Sequence, residues 1–319
     1  MNLINRVRNI LLGDTVKKKA KDYFCKYEKY SFVDCACESS EQFQASVIRL
    51  YHTIEKGLSY TKYRPGFGRD NIEKLVFSLE QYCEMGYDCS AFFYETALSC
   101  LKAYIEKNKA YGLEDNNLEK RVNQLPGHAN ECGGTIAVSI PSDPGKMNYE
   151  QLMLSRHSIR HFSNRPVDIP SIVKAIELAQ HTPSACNRQG WKTRIINDRA
   201  KVNIVLANQN GNRGFGQELN KILIITADLR AQQRNREVFQ AFIDGGMYAE
   251  SVLNALYYYG IGSVTLSASL TQRQEKIIRG AIGIDDAEVL ILFIGIGNYP
   301  DEDFLTTRSE RRMANVHVI

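Results

Sequence analysis

The chain has 319 residues, of which 44% are hydrophobic and 24% charged, and its formal net charge is +4. This composition is that of an ordinary globular protein and excludes a disordered or collagen-like chain. The charge is too small for a nucleic-acid binder, which usually has a concentrated basic face. No stretch of about 18 apolar residues predicts a membrane span, and the N-terminal sequence is too polar for a secretory signal. We therefore predict a cytoplasmic protein without a membrane span or a nucleic-acid partner.

The two halves of the sequence differ in charge and cysteine content. Residues 1–150 contain 20 Lys and Arg against 20 Asp and Glu, whereas residues 151–319 contain 20 against 16. Seven of the eight cysteines lie in the first half. Because a secretion signal is not recognisable, we expect the cysteines to remain thiols in a reducing cytoplasm. Their spacing fits no zinc-finger pattern, so we predict no metal site.

The first half has helical periodicity. Apolar residues recur at three- and four-residue steps, as in amphipathic helices, at 43–57, 71–86 and 90–112. Between Gln124 and Met147 the periodicity stops, and three Pro and four Gly indicate a linker. We predict an all-helical N-terminal domain at 1–125, a linker at 126–147 and a second domain at 148–319.

The second half alternates between helical stretches and apolar runs. Helical periodicity occurs at 148–159, 170–181, 200–208, 236–259 and 271–282. Strand-like runs lie at 191–197, 221–229, 262–268 and 288–297. Two of these runs, 221–229 and 288–297, are continuously apolar, so we expect both of their faces to be buried. The predicted fold class is α+β, with a mixed β-sheet flanked by helices.

The glycine-rich segment 294–300 follows a predicted strand and superficially resembles a dinucleotide-binding loop. It lacks the third glycine and the following helix that such a loop requires. The segment 211–216 follows a helix and lacks the Lys-Ser or Lys-Thr pair of a P-loop. We interpret neither segment as a nucleotide-binding loop.

A cationic cluster lies at the end of the first helix of the second domain, where Arg156, His157, Ser158 and Arg160 occur within five residues. A guanidinium group binds phosphate through two parallel hydrogen bonds and stays charged. The cluster therefore suits a phosphate group. A solvated basic helix end is the alternative interpretation.

Two amides, Asn187 and Gln189, precede the predicted strand 191–197. Amide groups offer both donors and acceptors, which recognition of a planar heterocycle requires. A pair of turn-forming amides would explain the same residues.

Taken in order, these motifs resemble the nitroreductase family of FMN-dependent oxidoreductases. The matching segments are 156–162, 183–191, 256–263, 297–300 and 308–312. No single segment is specific for the family, whereas five segments in the right order are specific for it. The resemblance covers about residues 151–319 and implies a homodimer that binds FMN between its subunits, NADH or NADPH as co-substrate and a small-molecule substrate.

The resemblance also implies that Arg156, Ser158 and Arg160, with His157 among them, hold the FMN phosphate and the polar edge of the isoalloxazine. The excess positive charge of this half is consistent with a bound phosphate. Arg308 would also contact the terminal phosphate.

On the same basis, Asn187 and Gln189 would face the flavin ring system. The backbone at Ser267 and Ala268 would approach flavin N5. Arg311 is a second candidate for the terminal phosphate, and Arg312 replaces it if the alignment shifts.

The chain departs from the family pattern at two positions. Gly190 stands where the family commonly has Pro, so we expect a looser turn. Ser267 stands where some members have a Glu near N5. We therefore assign no catalytic acid or base.

Within the helix 236–259, Gly245 and Gly246 indicate close packing, because Gly costs about 1 kcal/mol against Ala in a helix interior. The resemblance places this helix at the core of a homodimer. Close packing within one subunit is the alternative.

In the first half, His52, Glu55, Lys56 and Arg64 lie close together in the segment 51–70. They could line a substrate pocket or form a buried salt-bridged junction. The segment is similar to a helical extension that precedes some nitroreductase-like proteins, several of them associated with polysaccharide-type gene clusters. This similarity hints at a link to polysaccharide biosynthesis.

The leading hypothesis is an FMN-dependent oxidoreductase that passes a hydride from NADH or NADPH through flavin N5 to an unidentified organic acceptor. The alternative is a catalytically inactive flavin-binding or scaffold protein that retains the fold. Both hypotheses predict bound flavin, and only the first predicts turnover.

Overall fold

The computed structural model describes residues 3–31, 37, 39–139, 142–312 and 314–319, with the backbone alone for residues 3–15. In chain order the elements are α1 (Leu3–Tyr30), α2 (Ser40–Ser59), α3 (Arg69–Glu84), α4 (Phe92–Ala110), α5 (Asn116–Gln124), β1 (Thr135–Val138), α6 (Tyr149–Ser155), α7 (Ile169–Ala179), β2 (Trp191–Ile196), α8 (Arg199–Asn208), β3 (Lys221–Asp228), α9 (Gln240–Tyr258), β4 (Gly262–Ser267), α10 (Gln272–Ile282), β5 (Glu288–Gly297) and β6 (Phe304–Thr307).

Contacts divide the chain into two compact units. The sheet unit comprises Met1–Tyr30 and Ile140–Glu302, and the helical unit comprises Ser31–Ser139 and Asp303–Ile319. Helix α1 joins the sheet unit through Tyr23, whose ring centroid lies 4.9 Å from that of Phe239. The contact units differ from the predicted domains at both chain ends, and the predicted domain boundaries stay a prediction.

The helical unit is built on one apolar core. Helices α2, α3 and α4 bury their apolar stripes together, with Val47, Leu75 and Leu101 fully enclosed. At the start of α2, the Ser39 side chain accepts a 3.3 Å hydrogen bond from the Gln42 backbone N–H, which caps the helix. The helices predicted in the first half are confirmed.

A short antiparallel pair, β1 with β6, completes the helical unit, and Thr135 lies opposite Thr307. Strand β1 falls in the segment predicted as a linker. The Pro and Gly residues around β1 favoured the interpretation as a linker. The strand forms because β6, from the C-terminal part of the chain, pairs with it.

One pair of cysteines corrects the expectation of free thiols. Cys83 and Cys89 form a disulfide, with their Cα atoms 6.2 Å apart. The end of α3 and the turn before α4 bring the two residues together, which spacing alone does not predict. The other described cysteines are free, and Cys35 lies outside the described residues.

The sheet unit contains a four-stranded sheet in the order β2-β3-β5-β4. The four predicted strands and the α+β fold class are confirmed. In one detail the structure differs, because all three strand pairings are antiparallel where a mixed sheet was expected. A continuous apolar run indicates that both faces of a strand are buried. Burial does not determine whether neighbouring strands run parallel or antiparallel.

Helices cover both faces of the sheet. Leu223 and Ile225 of β3 pack with α7 and α9. The alternate residues Ile222 and Ile224 are also fully buried, on the face where α8 packs against β2 and β3. The predicted burial of β3 on both faces is therefore confirmed.

The paired glycines of α9 have different surroundings. A Cβ on Gly245 would lie 2.6 Å from the Ile291 side chain, so this position requires Gly for helix-to-sheet packing within the chain. Gly246 is exposed and has nothing within 4 Å of such a Cβ. Close packing within one subunit thus explains Gly245 and leaves Gly246 unexplained.

Candidate functional site

The cationic cluster follows α6 as an extended segment beside the edge strand β4. A capping box between Asn148 and Gln151 starts α6, which ends at Ser155. The backbone N–H of buried Ile159 then donates to the Ser263 carbonyl of β4 at 2.9 Å. This bond fixes the backbone, and Arg156, His157, Ser158 and Arg160 are half-buried around it.

Arg156 differs from its neighbours. Its side chain is half-buried, yet its guanidinium makes no hydrogen bond or ion pair among the described residues. Partly buried cations usually have an anionic or hydrogen-bonding partner. Arg156 is thus a candidate to bind an anionic ligand.

Phe162 holds the C-terminal end of the extended segment that follows α6. A Cβ on Gly297 would lie 2.6 Å from its ring, and one on Gly262, opposite Gly297 in the β4–β5 ladder, would lie 3.3 Å away. The Glu218 carboxylate accepts from the Phe162 backbone N–H at 3.1 Å. Gly297, one of the two glycines in the segment 294–300, is therefore small because Phe162 packs on it.

Ser267 and Ala268 lie at the other end of β4. Because the Ser263 carbonyl accepts from Ile159, its backbone groups face away from β5, and alternate residues of an antiparallel strand do the same. Thr265 and Ser267 therefore direct backbone groups to the outer side of the sheet. The buried Gln209 side chain donates to the Ser267 carbonyl at 2.9 Å and holds this end of the strand. No sequence pattern indicated a role for Gln209.

The second predicted group, Asn187 and Gln189, lies in the loop before the other edge strand, β2. Three of its residues have left-handed backbone conformations, with φ of 53° at Cys186, 55° at Asn187 and 49° at Gln189. Such conformations are strained for residues other than Gly. The Gln189 side chain donates to Asn187 Oδ1 at 3.0 Å, so the two exposed amides contact each other.

Charged residues from another part of the chain hold this loop. Arg188 Nη1 lies 2.8 Å from Glu237 Oε2, and Arg188 Nε donates to the Ala185 carbonyl at 2.9 Å. The hydrogen bond from Arg188 lowers the pKa of Glu237 to about 2. The buried Asp244 accepts from the Ala185 backbone N–H at 3.3 Å. Neither carboxylate was predicted from the sequence, although Asp244 interrupts the apolar stripe of α9, which is a recognisable signal.

Gly190 does not loosen the turn, contrary to the expectation. A Cβ there would lie 2.9 Å from Ala231 Cβ, and the Gly190 carbonyl accepts from the Asp228 N–H at 2.8 Å. The next residue, Trp191, stacks on Tyr248 at 4.7 Å between ring centroids. The loop therefore leads into a rigid strand.

The structure separates the two groups within one chain. The β4 edge group (Arg156–Arg160, Ser267 and Ala268) and the β2 loop (Cys186–Gln189) belong to opposite edges of the sheet. Three strand spacings of about 4.8 Å place these edges roughly 14 Å apart.

The remaining candidates lie in the helical unit. The Arg308 backbone N–H donates to the Gly134 carbonyl at 3.1 Å, and its buried Nε has no partner among the described residues. Arg311 is exposed, and its Nη1 donates to the Ser309 carbonyl at 3.2 Å. Their roles as phosphate ligands stay a prediction.

The predicted cluster of the first half contains a buried acid. Glu55 is fully buried, one of its oxygens lies 3.4 Å from His52 Nδ1, and the other has no partner in the described part of the chain. Arg64 is exposed. The His52–Glu55 pair thus supports neither interpretation over the other.

Within the described ranges, no helix is long and apolar enough to cross a membrane. Over the same residues, the structure contains no group of three His, Cys, Asp or Glu side chains arranged to hold a metal ion.

The part of the chain that contains these residues is similar to known proteins. Residues 153–223 match the sequence profile of the nitroreductase family. A protein of Archaeoglobus fulgidus named as an NADH dehydrogenase/NAD(P)H nitroreductase is 27% identical over 156 residues, which are 48% of this chain and 86% of that protein. A Streptococcus pyogenes protein named as an NAD(P)H nitroreductase is 27% identical over 92 residues, which are 29% of this chain and 46% of that protein.

Among solved structures, a Desulfovibrio desulfuricans protein described as a nitroreductase in complex with FMN has 17% identity and a TM-score of 0.44. The similarity covers 54% of this chain and 94% of that one. This score is low, and the similarity to the family rests on the sequence matches. The matched segment contains both Arg156–Arg160 and the β2 loop, so this part of the chain is similar to the nitroreductase family.

Proposed function

We propose that the chain is a flavin oxidoreductase that uses FMN, NADH or NADPH, and an unidentified small organic acceptor. FMN, when bound, supplies the hydride transfer between the two substrates. The observation that carries the proposal is the family match over 153–223, the segment that holds the half-buried, unpartnered Arg156. The names of the relatives support NADH or NADPH as the hydride source.

The residues along β4 fit FMN. The Arg156 guanidinium offers a charged, two-pronged donor for a phosphate, with Ser158 and Arg160 in the same segment. The outward backbone groups of Thr265 and the Ser267 N–H offer donors and an acceptor for a ring edge, since Gln209 already binds the Ser267 carbonyl. Such exposed strand edges are usually covered in native proteins, which supports a ligand at this edge.

We further propose a homodimer. Five side chains of the adjacent helices α6 and α9 expose apolar surface, with exposed fractions from 40% to 74%: Met153, Leu154, Phe242, Ile243 and Met247. Apolar patches of this kind mark interaction sites. A second copy on this face would allow the β2 loop of one subunit to meet the β4 edge of the other.

The decisive experiment is flavin binding by the purified full-length chain. We expect FMN to bind and give a flavin absorbance spectrum. Arg156→Gln should weaken FMN by at least about tenfold, because it removes a charge-assisted hydrogen bond, and should leave riboflavin, which lacks the phosphate, unchanged. Arg273→Gln, at an exposed position in α10, is the matched control. A chain that binds no FMN contradicts the proposal.

A second measurement separates the enzyme from the inactive flavin-binding alternative. NADH or NADPH added without oxygen should bleach the bound flavin, and an acceptor should restore the absorbance. Bound flavin that neither nucleotide reduces would favour the scaffold protein. The predicted cytoplasmic location and the link to polysaccharide biosynthesis stay hypotheses.

A further inference from the structure

A cavity lies wholly within the helical unit. It has a volume of about 440 Å³ and is bounded by the first turns of α2 and α4, the end of α3 and the C-terminal segment after β6. Its lining combines two guanidinium groups with aromatic rings. This combination differs from the enclosed apolar core beside it.

Positively charged groups line part of the cavity. Arg311 and Arg312 line it, and both are exposed. The long helices α2 and α4 also begin there, and the first N–H groups of a helix attract anions. No side chain caps α4 at Ala91, so its first donors are not used by a side chain.

Glu41 is the one carboxylate among the lining residues and opposes this positive charge. Its own backbone N–H and the side chains of Ser39 and Ser40 hydrogen-bond to it and lower its pKa. The carboxylate is therefore engaged in capping α2, and the two arginines leave the lining with a net positive charge.

Tyr82 supplies an unused polar group. This side chain lines the cavity and is only 4% exposed, and its hydroxyl makes no hydrogen bond to a described residue and keeps contact with solvent. Its ring meets that of Phe93 edge to face at 5.3 Å between centroids, and Phe92, which also lines the cavity, is 42% exposed.

We propose that this cavity binds a small organic anion that carries an aromatic ring. Arg312 and the N-terminus of α4 hold the anionic group, the Tyr82 hydroxyl donates a further hydrogen bond, and Phe92 and Phe93 contact the ring. The ligand is separate from the flavin, and the proposal does not depend on the proposed oxidoreductase activity.

The test is a calorimetric titration of the full-length chain with phenyl phosphate, with and without saturating FMN. We expect millimolar or tighter binding, and weaker binding of inorganic phosphate and of phenol, because each lacks half of the recognised chemistry. Arg312→Gln should weaken phenyl phosphate by at least about tenfold and Tyr82→Phe by about threefold. Arg273→Gln is the control for charge, and unfolding curves confirm that each variant folds.

Two results would overturn the proposal. One is the absence of phenyl phosphate binding, or its equal loss in Arg312→Gln and the control. The other is that Arg312→Gln weakens FMN, or that saturating FMN displaces phenyl phosphate, because the cavity would then hold the flavin phosphate. A chain that binds phenyl phosphate but no FMN would support this site and contradict the proposed function.

Discussion

The two edges of the sheet hold their candidate site residues in different ways. At the β4 edge, ordinary extended backbone is fixed by a hydrogen bond to Ser263 and by the packing of Phe162 on two glycines. At the β2 edge, three residues with left-handed backbone are held by side chains of Glu237 and Asp244. The β4 edge depends on packing, whereas the β2 edge depends on hydrogen bonds with charged side chains that offset backbone strain.

This difference predicts which kind of substitution would disrupt each edge. Loss of packing should affect the β4 edge group and the whole sheet, because Phe162 contacts the ends of β4 and β5. Loss of a charge should affect only the β2 loop. Four experiments would break or sharpen this comparison.

The largest effect is expected from mixing two variants. If the site combines the β4 edge of one subunit with the β2 loop of its partner, then Arg156→Gln and Asn187→Ala, each unable to bind FMN well alone, form a mixed dimer with one intact site. Absorbance should show that mixing and refolding restores part of the flavin binding. Mixing Arg156→Gln with Arg160→Gln is the control, because both changes affect the same edge. Absence of rescue would place the whole site in one chain.

The second prediction concerns packing at the β4 edge. Phe162→Ala should lower the free energy of unfolding by about 3–5 kcal/mol, because it opens a cavity over Gly262 and Gly297. Denaturant unfolding measures this loss. Phe77→Ala, at a 58% exposed position, should change stability by no more than about 0.5 kcal/mol. Equal effects of the two changes would refute the role of Phe162.

The third prediction concerns charge at the β2 loop. Arg188 lowers the pKa of Glu237 from 4.5 to about 2, so the ion pair stabilises the fold above the ordinary pKa and is lost as the pH falls towards 2. Glu237→Gln should lower the Tm at neutral pH, and the difference from wild type should shrink with acidification through this window. Glu302→Gln, at an exposed position, is the matched control. A pH-independent difference would contradict the ion pair.

The smallest effect tests backbone strain. Cys186→Gly should relieve about 1–2 kcal/mol of left-handed strain and lose about 0.5–1 kcal/mol to unfolded-chain entropy, for a net gain of about 0.5 kcal/mol. Ala185→Gly carries the entropy loss alone and should destabilise the protein. Denaturant unfolding compares the two. A destabilised Cys186→Gly would show that the loop is not strained.

Much of the fold was predictable from local pattern. Periodicity identified α2 to α4, α6 to α10 and the four strands of the sheet, and Arg156–Arg160 and Asn187 were singled out by residue type and spacing. The disulfide between Cys83 and Cys89, strand β1 and the supports Gln209 and Glu237 were not found. Each depends on a partner brought near by folding, and Glu237 lies 49 residues from Arg188 in the sequence.

The sequence by itself determined most of the segments that form helices and strands and which residues are candidates to bind a phosphate, because these depend on neighbours a few positions away. Only the tertiary structure decided that all strand pairings of the sheet are antiparallel, that β2 and β4 are its opposite edges, and that the two predicted site groups are separated within one chain. Strand order depends on pairing between segments that are distant in the sequence. Local periodicity indicates that a residue is buried but not which element packs against it.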